Sequence, residues 1–185
     1  MNEGESVKYK VLFADDNEAT LLGLRVQLKS HPDIDGVFVN SAKKAIDLVR
    51  ENPTGFAVVV LDFHFEPENT NGAEVAKKLF ELNRKLSIVI STGDTSAIPP
   101  IQSLKAKVSN FVTKDDTQGL IVAIRNCFPY YDQVVRTFQN AKRTTKEKWA
   151  GNIQLIESMG MFVDQSTYLM FAKLLEKLLT KNQQC

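Results

Sequence analysis

Cysteine and histidine are scarce in this chain, and their scarcity removes several function classes at once. Only two cysteines, Cys127 and Cys185, occur among 185 residues, too few to staple a fold of this size. Neither stands in a metal-ligand spacing with the two histidines, His31 and His64, so no zinc site is legible and a reducing, cytoplasmic setting is expected. No window reaches the roughly 18 apolar residues of a membrane helix, and the opening MNEGESVKYK has no apolar stretch of signal-peptide type. Secreted and membrane-spanning readings fall away. A dominant charge is missing too: Lys plus Arg number 23 against 22 for Asp plus Glu, a net charge of +1, which offers no whole-chain attraction to nucleic acid or to an anionic membrane. Partners must therefore be read from local sites.

What is present is the composition of an ordinary globular protein, 43% apolar and 24% charged, with no internal repeat or low-complexity tract. The first two-thirds alternates short β-branched runs with amphipathic helical stretches, the pattern of a parallel sheet with crossover helices. Five strands are expected, at residues 10–14 (KVLFA), 37–39, 57–61 (AVVVL), 87–91 (SIVIS) and 110–113 (NFVT). The third and fourth are almost wholly apolar, as central strands covered on both faces are. Leu21, Leu24, Val26 and Leu28 mark a first helix, Ser41 caps a second, and a third runs from about Gly72 to Leu82. A fourth helix must have Pro99 and Pro100 in its first turn or before it. Thr117 caps a fifth, which carries Leu120, Ile121 and Ile124 and ends near Phe128 and Pro129.

After Pro129 the strand signal stops. Tyr131, Val134, Val135 and Phe138, and further on Tyr168, Phe171, Leu175 and Leu178, have one-face helical spacing. Charge shifts as well: residues 128–185 hold 8 basic against 5 acidic side chains, or +3, leaving 15 against 17, or −2, for residues 1–127. Two regions are expected, 1–128 and a helical extension, 129–185.

In an open parallel sheet ligands bind at the carboxyl ends of the strands, near the point where strand order reverses. Asp15 and Asp16 follow the first strand, Asp62 the third, Thr92 the fourth and Lys114 the fifth. Singly, each acid reads as a solvated turn residue and Lys114 as a surface lysine. In register at one edge they converge. Clustered carboxylates raise one another's pKa unless something neutralises them, and a hard divalent cation such as magnesium does so with few protein ligands. One carboxylate, Asp62, is then placed to act as a nucleophile toward a phosphoryl group, with Lys114 balancing its charge and Thr92 donating a hydrogen bond.

These residues resemble the receiver domain of bacterial two-component response regulators over about residues 7–127. Asp15-Asp16 match the acidic pair, LDFHFEP holds the phosphoacceptor at Asp62, SIVISTG the switch hydroxyl at Thr92, and NFVTK the switch aromatic Phe111 with Lys114. The steps from Asp62 to Thr92, 30, and from Thr92 to Lys114, 22, are those of the family. The resemblance implies a flavodoxin-like, doubly wound sheet of order 2-1-3-4-5. It also implies Mg2+ held by Asp15, Asp16, Asp62 and the backbone carbonyl of His64, and phosphoryl transfer from a sensor histidine kinase or phosphotransfer protein. The protein is then a signalling switch that catalyses only its own phosphorylation and dephosphorylation, in the cytoplasm. Asp94 borders the same site by family position.

Three departures stand out against the family. Gly72 lies ten positions after Asp62 where eight is usual, Asp115 replaces the common proline after Lys114, and Lys107 stands where a helix-ending glycine is usual. A haloacid-dehalogenase-like phosphatase, which also uses an aspartyl nucleophile, expects an aspartate where His64 stands. The other class of function to weigh is a phosphorylation-independent scaffold. The extension has no phosphate loop, zinc spacing or triad pattern. Lys142, Arg143, Lys146 and Lys148 read as a solvated helical face rather than a DNA-reading patch, so DNA binding is not expected. MFVDQSTYLMFAKLLEKLL resembles faintly the opening helix of the ATPase domain of enhancer-binding activators, with Asp164 at a glycine position. The extension is thus either the start of a truncated output domain or a helical extension that docks on the first region or pairs with a second copy, its apolar stripe buried in a two-helix hairpin or a homodimer.

Overall fold

The computed structural model describes residues 7–93 and 108–158 of the chain. Among these residues seven strands form in order, β1 (Tyr9–Ala14), β2 (Ile34–Val39), β3 (Val58–Asp62), β4 (His64–Phe65), β5 (Thr70–Asn71), β6 (Ser87–Thr92) and β7 (Asn110–Thr113). The helices are α1 (Glu18–Gln27), α2 (Ala42–Glu51), α3 (Gly72–Leu82) and α4 (Thr117–Ser158), with single 3-10 turns at Leu28–Ser30 and Glu66–Glu68. Five strands pair in parallel in the order β2-β1-β3-β6-β7, and β4 and β5 make a separate antiparallel pair. Counted within the large sheet, this is the expected order 2-1-3-4-5, with helices on both faces.

Alternation along each strand builds two core layers. Leu12, Val59, Leu61, Ile88 and Ile90 meet Ala45 and Val49 of α2 and Val75 and Leu79 of α3. Val11, Phe13, Val58, Val60 and Val89 meet Leu21 of α1 and Leu120, Ile121 and Ile124 of α4 on the opposite face. β3 and β6 are buried at every position, which is why their central stretches, Val58–Leu61 and Ile88–Ile90, are wholly apolar. Each such aliphatic side chain contributes about 1.5–3 kcal/mol when taken fully out of water.

Local chemistry starts and stops the helices. Ser41 caps α2 as expected, its Oγ accepting from Lys44 N at 3.1 Å. Thr117 does not cap α4: Asp116 Oδ1 accepts from Gly119 N at 2.8 Å, so the cap lies one residue earlier and Thr117 is the first helical residue. Within α1, Leu21 is buried but Val26 is 58% exposed, because it lies two residues from Leu24 and so turns away from the stripe of Leu21, Leu24 and Leu28.

The fifth helix does not end at Pro129 as expected; α4 continues through that proline to Ser158. Proline removes the hydrogen bond to the carbonyl four residues back, here that of Arg125, and both residues are exposed, a setting in which a freed backbone oxygen can be satisfied by solvent. The chain divides by its contacts into two compact units, Met1–Tyr131 and Asp132–Cys185. Of the second unit, residues 132–158 are helical and include the basic run; the apolar stripe at 168–179 lies outside the described residues. So do the expected fourth helix, Asp94 and Lys107. Among the described residues no helix is long and apolar enough to cross a membrane.

Candidate functional site

The strand order reverses between β1 and β3, and the carboxyl ends of these two strands with those of β6 and β7 form the site. β1 ends at Ala14 and delivers Asp15 and Asp16; Asp62 is the last residue of β3, Thr92 the last of β6, and Lys114 follows β7. The parallel registers hold these ends level, with Asp62 opposite Ser91 and Thr92 opposite Thr113. An open crevice over the edge is lined by Asp16, Asp62, His64, Glu66, Gly93 and Lys114.

Lys114 is the electrostatic centre. Its Nζ lies 2.7 Å from Asp15 Oδ2 and 2.8 Å from Asp62 Oδ2. Both aspartates are buried, at 5% and 6% exposure, where an unpaired carboxylate would be costly. Burial pushes the Asp62 carboxyl above its ordinary value, opposed by the hydrogen bond from Lys114, reinforced by the charge of Asp15, and opposed again by the His64 backbone amide. Burial works against the charge on Lys114 as well, yet its hydrogen bonds to Asp15 and Asp62 outweigh it and leave the amine above its usual range. Among the described residues every buried side-chain nitrogen or oxygen has a hydrogen-bond partner.

Oxygen atoms of Asp15, Asp16 and Asp62, one from each, lie within 4.8 Å of one another. Magnesium takes oxygen ligands at 2.0–2.1 Å in an octahedron, so opposite donors stand about 4 Å apart. Three hard carboxylate donors at this spacing, Asp16 partly exposed so that waters can complete the shell, fit a small divalent cation.

The remaining expected residues fall around this centre. Thr92 is fully buried, and its carbonyl accepts from Lys114 N at 2.9 Å. Phe111 is half-buried against the core layer beneath α2 and α3. His64 is exposed, its ring edge-on to Phe63 with centroids 4.9 Å apart. Cys127 packs as a small apolar group, 6% exposed, with its thiol raised by burial.

Several supporting groups were not legible as site residues. Asn17 caps α1, its Oδ1 accepting from Ala19 N at 2.9 Å and Thr20 N at 3.2 Å, while its own N–H donates to Asp15 Oδ1 at 2.9 Å. An asparagine just before a helix is a recognisable cap; its hold on Asp15 follows from that turn. The segment between Asp62 and Gly72 is a folded hairpin. Asn69 turns it in the left-handed region at φ 46°, Glu66 N donates to Asp16 Oδ2 at 3.0 Å, and Glu68 Oε2 accepts from Lys43 N of α2 at 3.1 Å. Gly72 closes the hairpin, its N–H donating to the Phe63 carbonyl at 2.7 Å.

Comparison with known proteins gives the family and the fold. A model of the response regulator receiver domain matches residues 11–126. No curated protein matches the chain. Among solved structures, an adenylate cyclase from Rhodopirellula baltica is 19% identical with a TM-score of 0.64, over 74% of this chain and 98% of that one. A receiver domain protein from Clostridium thermocellum is 20% identical with a TM-score of 0.61, over 68% and 98%. A response regulator receiver domain from Francisella is 23% identical with a TM-score of 0.57, over 66% and 98%. These three likenesses are likenesses of fold. With its acidic edge, its lysine and a family match over most of its length, the chain belongs to the response regulator receiver domain family.

Proposed function

We propose that the chain is a phosphorylation-driven switch of a two-component pathway, with Asp62 as phosphoacceptor. The observation that carries the reading is the single ammonium of Lys114 held between Asp15 and Asp62 at the sheet edge, with Asp16 beside them. A carboxylate oxygen of Asp62 attacks the phosphorus of a phosphohistidine on a sensor kinase or phosphotransfer protein, or of a small phosphodonor. A P–O bond to Asp62 forms as the donor's bond to phosphorus breaks: from phosphohistidine the P–N bond, the imidazole leaving with the electron pair and taking up a proton, and from acetyl phosphate the P–O bond, acetate leaving with the electron pair. Asp15, Asp16, Asp62 and the His64 carbonyl would hold Mg2+, which supplies charge neutralisation for the phosphoryl oxygens when bound.

Lys114 then exchanges a carboxylate partner for a phosphoryl oxygen, keeping a charge-assisted hydrogen bond throughout. The acyl phosphate brings about −1.5 to −2 charges at neutral pH. Thr92 donates to another of its oxygens and Phe111 turns further inward, which biases the surface beyond β7 between two arrangements. Residues 1–128 carry this chemistry, and the extension at 129–185 passes it on to a partner or a second copy. The protein works in the cytoplasm, without DNA contact of its own.

Incubation with acetyl phosphate and magnesium, followed by intact-mass spectrometry, tests the reading. One added phosphoryl group that is absent in Asp62→Asn supports it. No addition with any donor favours the phosphorylation-independent scaffold instead.

A further inference from the structure

The hairpin between Asp62 and Gly72 is tied down at both ends of its reach. On one side the Glu66 amide donates to Asp16 Oδ2 at 3.0 Å. On the other the Glu68 carboxylate accepts the Lys43 amide in the first turn of α2 at 3.1 Å. The 3-10 turn Glu66–Glu68 makes these two anchors a single rigid step apart, and Asn69 N returns to the Glu66 carbonyl at 3.1 Å. A carboxylate at a helix N-terminus is held by the unsatisfied amides and the positive end of the helix dipole. Ser41 caps the same helix through a different amide, that of Lys44, so Glu68 adds an independent contact.

We infer that Glu68 is a positioning residue for the cation site: by fastening the hairpin to α2 it sets the Glu66 amide on Asp16 and fixes which carboxylate oxygen faces the crevice. A carboxylate offers about four lone-pair positions, so an amide on Oδ2 orients Asp16 without exhausting it. Groups that hydrogen-bond to metal-binding carboxylates are worth about 10- to 100-fold in affinity. Glu68 acts one step further out, through the amide it positions, and the low end of that range is expected. The inference rests on the proposed function, since it concerns how well Asp16 holds Mg2+.

Magnesium titration of 15N-labelled full-length protein, read by the backbone amide of Glu66 and its neighbours, is the test. Glu68→Ala is expected to weaken Mg2+ binding about tenfold and to move the Glu66 amide resonance toward that of a solvent-bonded amide before any metal is added. Glu68→Gln, which keeps the acceptor but not the charge, is expected to retain both. Arg125→Gln, which breaks the ion pair with Asp33 and touches neither α2 nor the hairpin, is expected to lower stability and leave Mg2+ affinity unchanged. Unchanged affinity in Glu68→Ala, or equal weakening in Glu68→Gln or Arg125→Gln, overturns the inference. A wild-type protein that does not bind Mg2+ overturns the cation-dependent reading of the site along with it.

Discussion

Lys114 and Asp62 meet at 2.8 Å across the carboxyl edge of the sheet, and the same ammonium reaches Asp15 at 2.7 Å. One cation therefore holds two carboxylates whose side chains are only 7% exposed, while a quarter of the lysine side chain stays in water. Removing it leaves buried acceptors without their donor, a loss of about 1–3 kcal/mol. Lys114→Met is expected to lower stability by that amount in urea unfolding at pH 7 without magnesium. Asp62→Asn in the same chain should recover part of it, because the two residues are coupled. A loss that Asp62→Asn leaves untouched would show that the ion pair is not its cause.

Gly72 sits where a side chain has no room. A Cβ there would stand 2.3 Å from the Asp62 carbonyl oxygen and 3.0 Å from Phe63 Cα, both main-chain atoms that cannot swing aside. Gly72→Ala is expected to cost about 1–3 kcal/mol through backbone displacement, measured as a shift of the urea midpoint. It should also disturb the amide resonances of residues 63–71, since Gly72 N closes the hairpin on the Phe63 carbonyl. Gly23, with nothing near its missing Cβ, is the control: Gly23→Ala in α1 should stabilise modestly.

Arg125 and Asp33 join α4 to the turn before β2, with bonds of 2.8 and 2.9 Å to the two carboxylate oxygens. The hydrogen bond from Arg125 is the main cause that holds the Asp33 carboxyl below its ordinary 3.8, against a smaller opposing effect of burial. A carboxyl depressed in the folded state stabilises above its unfolded pKa and loses that contribution as pH falls through the folded value. The pair is only partly buried and reaches solvent, so about 0.5 kcal/mol is at stake. Arg125→Gln should remove that amount at pH 7 and lose less between pH 4 and pH 2 than wild type, as read by thermal melts across that range.

The fold was largely legible because buried parallel strands must be apolar on both faces. β7 falls at the expected residues, and the expected β3 and β6 shift by no more than one residue at an end. β2 begins three residues earlier than expected, at Ile34, since Asp35 and Gly36 are poor strand formers and an edge strand lacks a continuous apolar run. The acids, Thr92 and Lys114 could be placed because each is next to a strand end. The hairpin could not: its strands are two residues long, Thr70 and Asn71 carry no apolar alternation, and the group that meets Asp16 is a main-chain amide. The path of α4 through Pro129 was hidden for a related reason. Proline speaks for a break, and only its exposure shows that the lost bond is tolerable.

The central claim is that Asp62 carries the phosphoryl group. Treating the phosphorylated protein with borohydride, which reduces an acyl phosphate at aspartate to homoserine, and mapping the peptides by mass spectrometry reads the modified position directly. Homoserine at position 62, dependent on both phosphodonor and magnesium, is the predicted result. Homoserine at Asp15 or Asp16 instead, or unmodified aspartate at all three positions after exposure to every donor class, would contradict it.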